Sequence, residues 1–362
     1  MPHADCSPYI EWAKLHSSSA FNLATSGVKE LSLRELGATL DDVELSGTSR
    51  YGYEPLLERV AAKVGVSQAQ VVLAPGTSMA NHLAMAALLA PGDDVLIERP
   101  TYEPLVATAA YLGARVLRFD RRPEDGFRVD VDAVRRALTP RTRLVVLANL
   151  HNPSSAATDQ ATLRALGDAA ERVGARVLVD EVYLDAVFDQ SPPSCVHLGP
   201  AFVATSSLTK VYGLSGLRCG WIACEPQLAH RIWRLNDLFG VVPARPAEQL
   251  SVVAFERLPW ILARAQALLT VNHAVLDRFL ASRNDLETLP TRFGTTICPA
   301  PRHGDADRLC AILRERYDTT VVPGRFFELP RHVRIGIGGD TGPLAQGLEH
   351  LGAALDDLAR EG

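Results

Sequence analysis

Between residues 71 and 224 the chain alternates short, continuously apolar runs with stretches of helical period. That alternation limits the fold more than any other feature. The runs cover 71–73, 94–98, 115–119, 144–150, 176–179, 202–204 and 219–224, and helical patterns fill 79–89, 105–112, 130–138 and 161–173. A strand with no polar face must be covered on both sides, and parallel strands need helical crossovers to reconnect. The expectation is an α/β fold: a mostly parallel seven-stranded sheet with helices on both faces. A further helix over 54–65 ends at Gly65.

Beyond Leu235 the texture changes. Pro243, Pro246 and Pro259 interrupt a mainly helical stretch, followed by a long helix over 260–280. A run at 295–298, a helix at 306–316, strands at 319–323 and 333–337, and a closing helix at 342–358 then describe a smaller α+β domain. Residues 1–50 read as irregular, with one amphipathic piece at 31–40. The expected division is a large domain over 46–240 and a small one built from 1–45 and 241–362.

With 47% apolar and 22% charged residues, the composition is that of a globular, water-soluble protein. A net charge of −5 and the lack of a basic tract argue against a nucleic-acid or membrane partner. No apolar run is long enough for a bilayer, and no basic, apolar leader opens the chain, so a cytoplasmic location is expected. Six cysteines without a Cys-x-x-Cys pair read as reduced thiols. The ten histidines form no ligand motif, so no metal is expected.

Ligands of open α/β sheets bind beyond the carboxyl ends of the strands. The polar residues sort to those ends: Gly76-Thr77-Ser78, Tyr102, Asn152, Asp180, Tyr183, Ser207 and Lys210. Gly76-Thr77-Ser78 opens a helix, as a phosphate site would and as any N-cap would. Asp180 could pair with a protonated heterocyclic nitrogen or cap a helix. Tyr183 could reach a ring oxygen or pack as an ordinary aromatic. Asn152-Pro153 could donate an amide hydrogen bond or form a plain Asx-Pro turn. Tyr102 could cover a ring or sit at a rim. Arg334, in an apolar strand, needs an anionic partner, either a substrate carboxylate or a structural one. The polar stretch 22–28 could line a pocket with its backbone or be a simple turn.

Lys210 follows a buried strand among small neighbours, where desolvation favours the neutral, nucleophilic amine. An ordinary loop lysine would also fit. Ser207-x-x-Lys210 matches a signature of serine β-lactamases, but their Ser-Asp-Asn and Lys-Thr-Gly motifs are missing. No Gly-x-Gly-x-x-Gly follows a strand, which counts against a nicotinamide site.

The ordered set of Gly-Thr-Ser helix start, Asn-Pro turn, Asp-x-x-Tyr strand end, Ser-x-x-Lys and an arginine eight positions later resembles the fold-type I pyridoxal-phosphate enzymes, above all the class I/II aminotransferases. The resemblance implies pyridoxal 5′-phosphate as cofactor, bound as a Schiff base on Lys210. It implies a catalytic set of Lys210, Asp180 and Tyr183. Lys210 moves the proton, Asp180 holds the ring nitrogen, and Tyr183 and Asn152 hold the ring oxygen. Tyr102 covers the ring. Thr77, Ser78, Ser207 and Arg218 bind the phosphate, and Gly27, Asn152 and Arg334 meet the substrate. The implied reaction passes an amino group between an amino acid and a 2-oxo acid. A lyase, decarboxylase, racemase or β/γ-replacement enzyme of the same fold is the alternative. The resemblance also implies a homodimer with the active site at its interface. Two departures stand out. The Asn-Pro-x-Gly glycine is Ser155, and the tyrosine that reaches the neighbour's phosphate falls on Gly47, with Tyr51 or Tyr53 as substitute.

Overall fold

A computed structural model of the chain describes residues 5–289 and 291–361. Its seven-stranded sheet comprises β1 (Val71–Pro75), β2 (Asp94–Arg99), β3 (Arg115–Asp120), β4 (Thr142–Ala148), β5 (Arg176–Asp180), β6 (Phe202–Ser207) and β7 (Cys219–Ala223). The spatial order is β1-β7-β6-β5-β4-β2-β3. The pairings among β2 to β6 are parallel, and β7 runs antiparallel to both β1 and β6.

Continuous apolar strands arise here because both faces are covered. In β2, Val95 and Ile97 enter one core while Leu96 enters the other. In β4, Leu144 and Val146 oppose Val145 and Leu147 in the same way. Each fully buried side chain of this size contributes roughly 1.5–3 kcal/mol, so the sheet is held from both sides. The reversal of β7 matters for function. Its first residue pairs with the last residue of β1, and Gly220 pairs with Ser207 at the end of β6. The start of β7 therefore reaches the edge where β1 and β6 finish, and Arg218, just before it, arrives there too.

A second core gathers Leu23 and Val28 with residues from Ala265 to Leu358. Phe21–Asn22 pairs in parallel with Thr319–Thr320, while Thr296–Ile297, Val333–Gly336 and Val322–Pro323 form a separate antiparallel sheet. The single strand expected over 319–323 is thus two, broken at Val321, because its halves pair with different partners. Ala254, Phe255 and Ile261 pack against the large sheet, and the long helix Leu258–Ala281 joins the second core from Ala265 onward. Packing changes between Ile261 and Ala265, later than residue 240. A helical pattern reveals an apolar face but not which core it will meet.

The N-terminal stretch is less irregular than its sequence suggests. Pro8–Leu15 is a helix, with the Ser7 hydroxyl accepting from Ile10 N and proline in its first turn. Its Tyr9 and Trp12 pack with Val322 and Phe327.

Candidate active site

The strand ends enclose a cavity of about 180 Å³. Thr77, Ser78 and Asn81 come from the helix Gly76–Leu88 after β1, and Tyr102 from the turn after β2. Asn152 follows β4, Asp180 ends β5, and Tyr183 follows it. Thr209 and Lys210 follow β6, and Arg218 precedes β7.

Asp180 is buried at the inner wall. Asn81 Nδ2 donates to its Oδ2 at 2.9 Å and Val182 N to its Oδ1 at 3.1 Å. Thr205 Oγ1 donates to Asn81 Oδ1 at 2.6 Å, which turns the Asn81 amide donor toward Asp180. Burial dominates over these bonds and pushes the Asp180 carboxyl up to about 6. Lys210 Nζ donates to Ser26 Oγ at 3.1 Å, and Tyr183 OH donates to the same oxygen at 2.8 Å. Burial lowers the Lys210 amine below the ordinary lysine range.

Arg334 is fully buried and pairs with no carboxylate among the described residues. Its Nη1 donates to Asn152 Oδ1 at 3.2 Å, and its Nη2 to Tyr9 OH at 2.9 Å and Ala24 O at 2.7 Å. Its Nε is buried without a partner. Since Asn152 spends its oxygen on Arg334, its amide donor is left for another acceptor.

Four expected site residues stand off the cavity wall. Ser207 Oγ accepts from Thr77 Oγ1 at 2.8 Å and from Thr209 N at 3.2 Å, so it sits behind Thr77 and supports it. Ser207, expected at the phosphate, is thus within hydrogen-bond reach of Thr77, another residue expected there. Gly27 packs on the Lys210 backbone, and a Cβ on it would lie 3.4 Å from Lys210 O. Tyr51 is exposed and accepts from Arg234 Nη1 at 2.8 Å, away from its own chain's cavity. Arg334 lies one hydrogen bond behind Asn152.

Asn81, Thr205, Thr209, Ser26 and Tyr9 were not read from the sequence. Only Asn81 carried a local signal: it lies four residues after Thr77, on the same helix face. The departure at Ser155 is accommodated at a cost. Ser155 keeps a left-handed backbone, φ 59°, where glycine is the easy residue. Its Oγ donates to Thr296 O at 2.8 Å, tying the Asn152 loop to the C-terminal sheet. Beneath that loop, Arg121 Nη1 donates to Glu98 Oε2 at 2.7 Å in a fully buried pair, and Ala148 N donates to Glu98 Oε1 at 2.7 Å.

The family model described as "Aminotransferase class I and II" matches residues 27–351. The chain belongs to that family. Capreomycidine synthase of Streptomyces vinaceus is 31% identical to it, across 98% of this chain and 94% of that relative. The arginine–pyruvate transaminase AruH of Pseudomonas aeruginosa is 27% identical, across 89% and 86%. Among solved structures, a PLP-dependent aminotransferase from Streptococcus suis superposes with a TM-score of 0.93 at 26% identity, covering 99% of both chains. The PLP-dependent cyclase OrfR superposes with a TM-score of 0.89 at 24% identity, covering 99% of this chain and 98% of its own. The enzyme is an aminotransferase-type enzyme of fold type I, and its cofactor is pyridoxal 5′-phosphate.

The residues present fit that cofactor. Arg218 bonds only to the carbonyls of Ser215 and Pro75, at 3.3 and 3.1 Å, and pairs with no carboxylate among the described residues. Gly76 leaves it room: a Cβ there would lie 2.2 Å from Arg218 Nη2. The helix Gly76–Leu88 has no side-chain cap, and Thr209 Oγ1 is buried without a partner. A free guanidinium, an uncapped helix start and an orphan hydroxyl together suit a phosphate. The buried Asp180 suits a ring N–H⁺. Among the described residues no helix is long and apolar enough to cross a membrane.

Proposed function

We propose that this enzyme moves an amino group from an α-amino acid to a 2-oxo acid, and that the cavity residues divide the work as follows. The bound cofactor supplies an aldehyde that captures amines and a ring that draws electrons from the substrate's α-carbon. Lys210 Nζ is the amine that holds the aldehyde carbon, and once released it carries the proton taken from the α-carbon. Asp180 keeps the ring nitrogen protonated, and Asn81 keeps Asp180 in place. Tyr183 OH and Asn152 Nδ2 are the donors for the ring oxygen, and Tyr102 covers the ring and excludes water. Thr77, Ser78 and Arg218 hold the phosphate.

The observation that carries this reading is Arg334. A guanidinium that is fully buried without a counter-ion is costly, and a carboxylate gripped by two parallel hydrogen bonds removes the cost. The substrate's α-carboxylate is that anion. Purified protein is expected to absorb in the visible range and, after borohydride reduction, to carry the cofactor on Lys210. Lys210→Ala abolishes the reduced adduct at that position. Amino donors then convert the cofactor to its pyridoxamine form with release of the matching oxo acid; cofactor trapped at another lysine refutes the assignment.

The likeness to a relative named for a synthase, capreomycidine synthase, across 98% of the chain favours a second reading, a reaction of the same fold other than transamination: lyase, decarboxylase, racemase or β/γ-replacement. Release of no oxo acid from any donor, with turnover of a β-substituted amino acid, supports it. The same reading of the family includes a cytoplasmic homodimer, with 46–240 as the cofactor-binding unit and 1–45 with 241–362 as the small α+β domain. Tyr51 and Arg234 are exposed, as are Leu238, Phe239 and Val241 just after the helix that carries Arg234. Light scattering at the monomer mass counts against the dimer.

A further inference from the structure

Between Lys210 and Tyr183 stands a hydroxyl that no motif marks. Ser26 is 5% exposed, and its Oγ lies 3.1 Å from Lys210 Nζ and 2.8 Å from Tyr183 OH. Its place is fixed from several directions. Thr295 Oγ1 donates to Ser26 O at 2.7 Å, and Val28 N donates to Lys210 O at 2.7 Å. On the far side, Gly338 passes so close that a Cβ on it would lie 2.3 Å from Gly27 O. The segment 25–28 is thus clamped between the Lys210 turn and the chain around Val333–Gly336.

A hydroxyl oxygen accepts two hydrogen bonds and gives one. Ser26 Oγ accepts from both Lys210 and Tyr183, and its own proton has no acceptor among the described residues. That spare proton lets it serve two states of its neighbour. An ammonium at Lys210 donates to Ser26 Oγ. A neutral amine there accepts the Ser26 proton on its lone pair, while Tyr183 still donates to Ser26. Neither state leaves a buried nitrogen without a partner. A carboxylate in this position would hold the ammonium alone, and a methyl group would hold neither.

We infer that Ser26 is a positioning residue for the Lys210 amine, holding that nitrogen in one place in both of its protonation states; in the cofactor-free protein it also accepts the Tyr183 phenol proton, which is given to the ring oxygen when the cofactor binds. The inference rests on Lys210 being the reactive lysine. The other groups bearing on the amine are Tyr9 from the helix Pro8–Leu15, Arg334 from the strand Val333–Gly336, Asp180 from β5 and Arg218. Burial is the largest influence and lowers the amine; Tyr9 and Asp180 oppose it, and Arg334 and Arg218 reinforce it. Ser26 and Tyr183 act on the amine through hydrogen bonds only.

The test begins on cofactor-free protein. Reductive methylation with formaldehyde and cyanoborohydride, read at the Lys210 peptide by mass spectrometry across pH, titrates the amine. The bond to the ammonium is the stronger of the two that Ser26 makes, so Ser26→Ala lowers the midpoint by roughly one pH unit. Ser26→Thr keeps the hydroxyl and returns the midpoint to that of the parent protein. Ser26→Cys, similar in size with a weak hydrogen-bonding thiol, carries the same expectation as alanine should Ser26→Ala not fold. In the loaded enzyme Ser26→Ala lowers kcat about tenfold at unchanged KM for the amino acid, since Ser26 takes no part in gripping the carboxylate. An unchanged midpoint in the alanine and cysteine variants, or an equal shift in the threonine variant, overturns the inference. Failure of the parent reading shows separately, as absence of borohydride-trapped cofactor on Lys210 in the unaltered protein.

Discussion

Asn81 Nδ2 donates to Asp180 Oδ2 at 2.9 Å, and Thr205 fixes the direction of that donor by occupying Asn81 Oδ1. The Asp180 carboxylate is therefore held by the helix Gly76–Leu88, whose first turn, with Thr77 and Ser78, lines the same cavity. In the proposed arrangement one element would serve both the ring nitrogen and the phosphate.

Asn81→Ala removes a donor to a charged group and leaves Thr205 without its acceptor. The Asp180 carboxyl then rises further from its ordinary value, and the Kd for pyridoxal 5′-phosphate is expected to increase about tenfold or more. Fluorescence titration of cofactor-free protein measures this. Equal affinity in the two proteins would show that Asn81 is not what keeps Asp180 ionised.

Asp180 also links stability to pH. Burial raises its carboxyl from 3.8 to about 6 in the fold. A carboxyl raised in this way binds a proton that the unfolded chain has already released. Its contribution is complete below about 3.8 and is lost as pH rises through about 6. Cofactor-free protein should lose about 2.4 kcal/mol from this group between pH 4 and 7. Loaded protein, with a ring N–H⁺ beside the carboxylate, should not. Urea unfolding of both forms across that range is the measurement, and parallel curves would contradict the assignment.

For Arg334→Gln, kcat/KM toward an α-amino acid is expected to fall about 100-fold, the value of a charge-assisted pair of hydrogen bonds. Turnover of the corresponding amine, which lacks the carboxylate, should change little, and so should the absorption of the bound cofactor. Equal losses for both substrates would place Arg334 in support of the fold instead.

Ser155 combines strain with a useful bond. Ser155→Ala keeps the left-handed backbone and loses the bond to Thr296 O, whereas Ser155→Gly loses the bond but relieves the strain. The glycine variant should therefore be the more stable of the two by about 1 kcal/mol, as read from chemical denaturation. The opposite order would mean that the turn relaxes when the serine is removed.

The sheet was legible because strands covered on both faces read as short, nearly continuous apolar runs set between helical patterns. The reactive edge was legible for a related reason. Lys210, Asp180, Asn152 and Tyr183 are polar residues placed where apolar runs stop. Ser26 was hidden, because its meaning lies in a partner 184 residues away and a serine in a small polar stretch is unremarkable by itself. Tyr9 was hidden similarly, since a helix of eight residues gives little periodicity. Asn81 could have been found: an amide in an otherwise apolar helix, one turn after Thr77, needs a buried partner. Ser207 was legible as a polar residue at a strand end, but its bond to Thr77, 130 positions away, was not.

The Tyr9–Arg334 bond spans 325 positions of the chain. The bond joins the helix Pro8–Leu15 to the strand Val333–Gly336, two segments that share no core with the large sheet. Local opening of either segment would release the Arg334 guanidinium while every strand of the large sheet stayed paired.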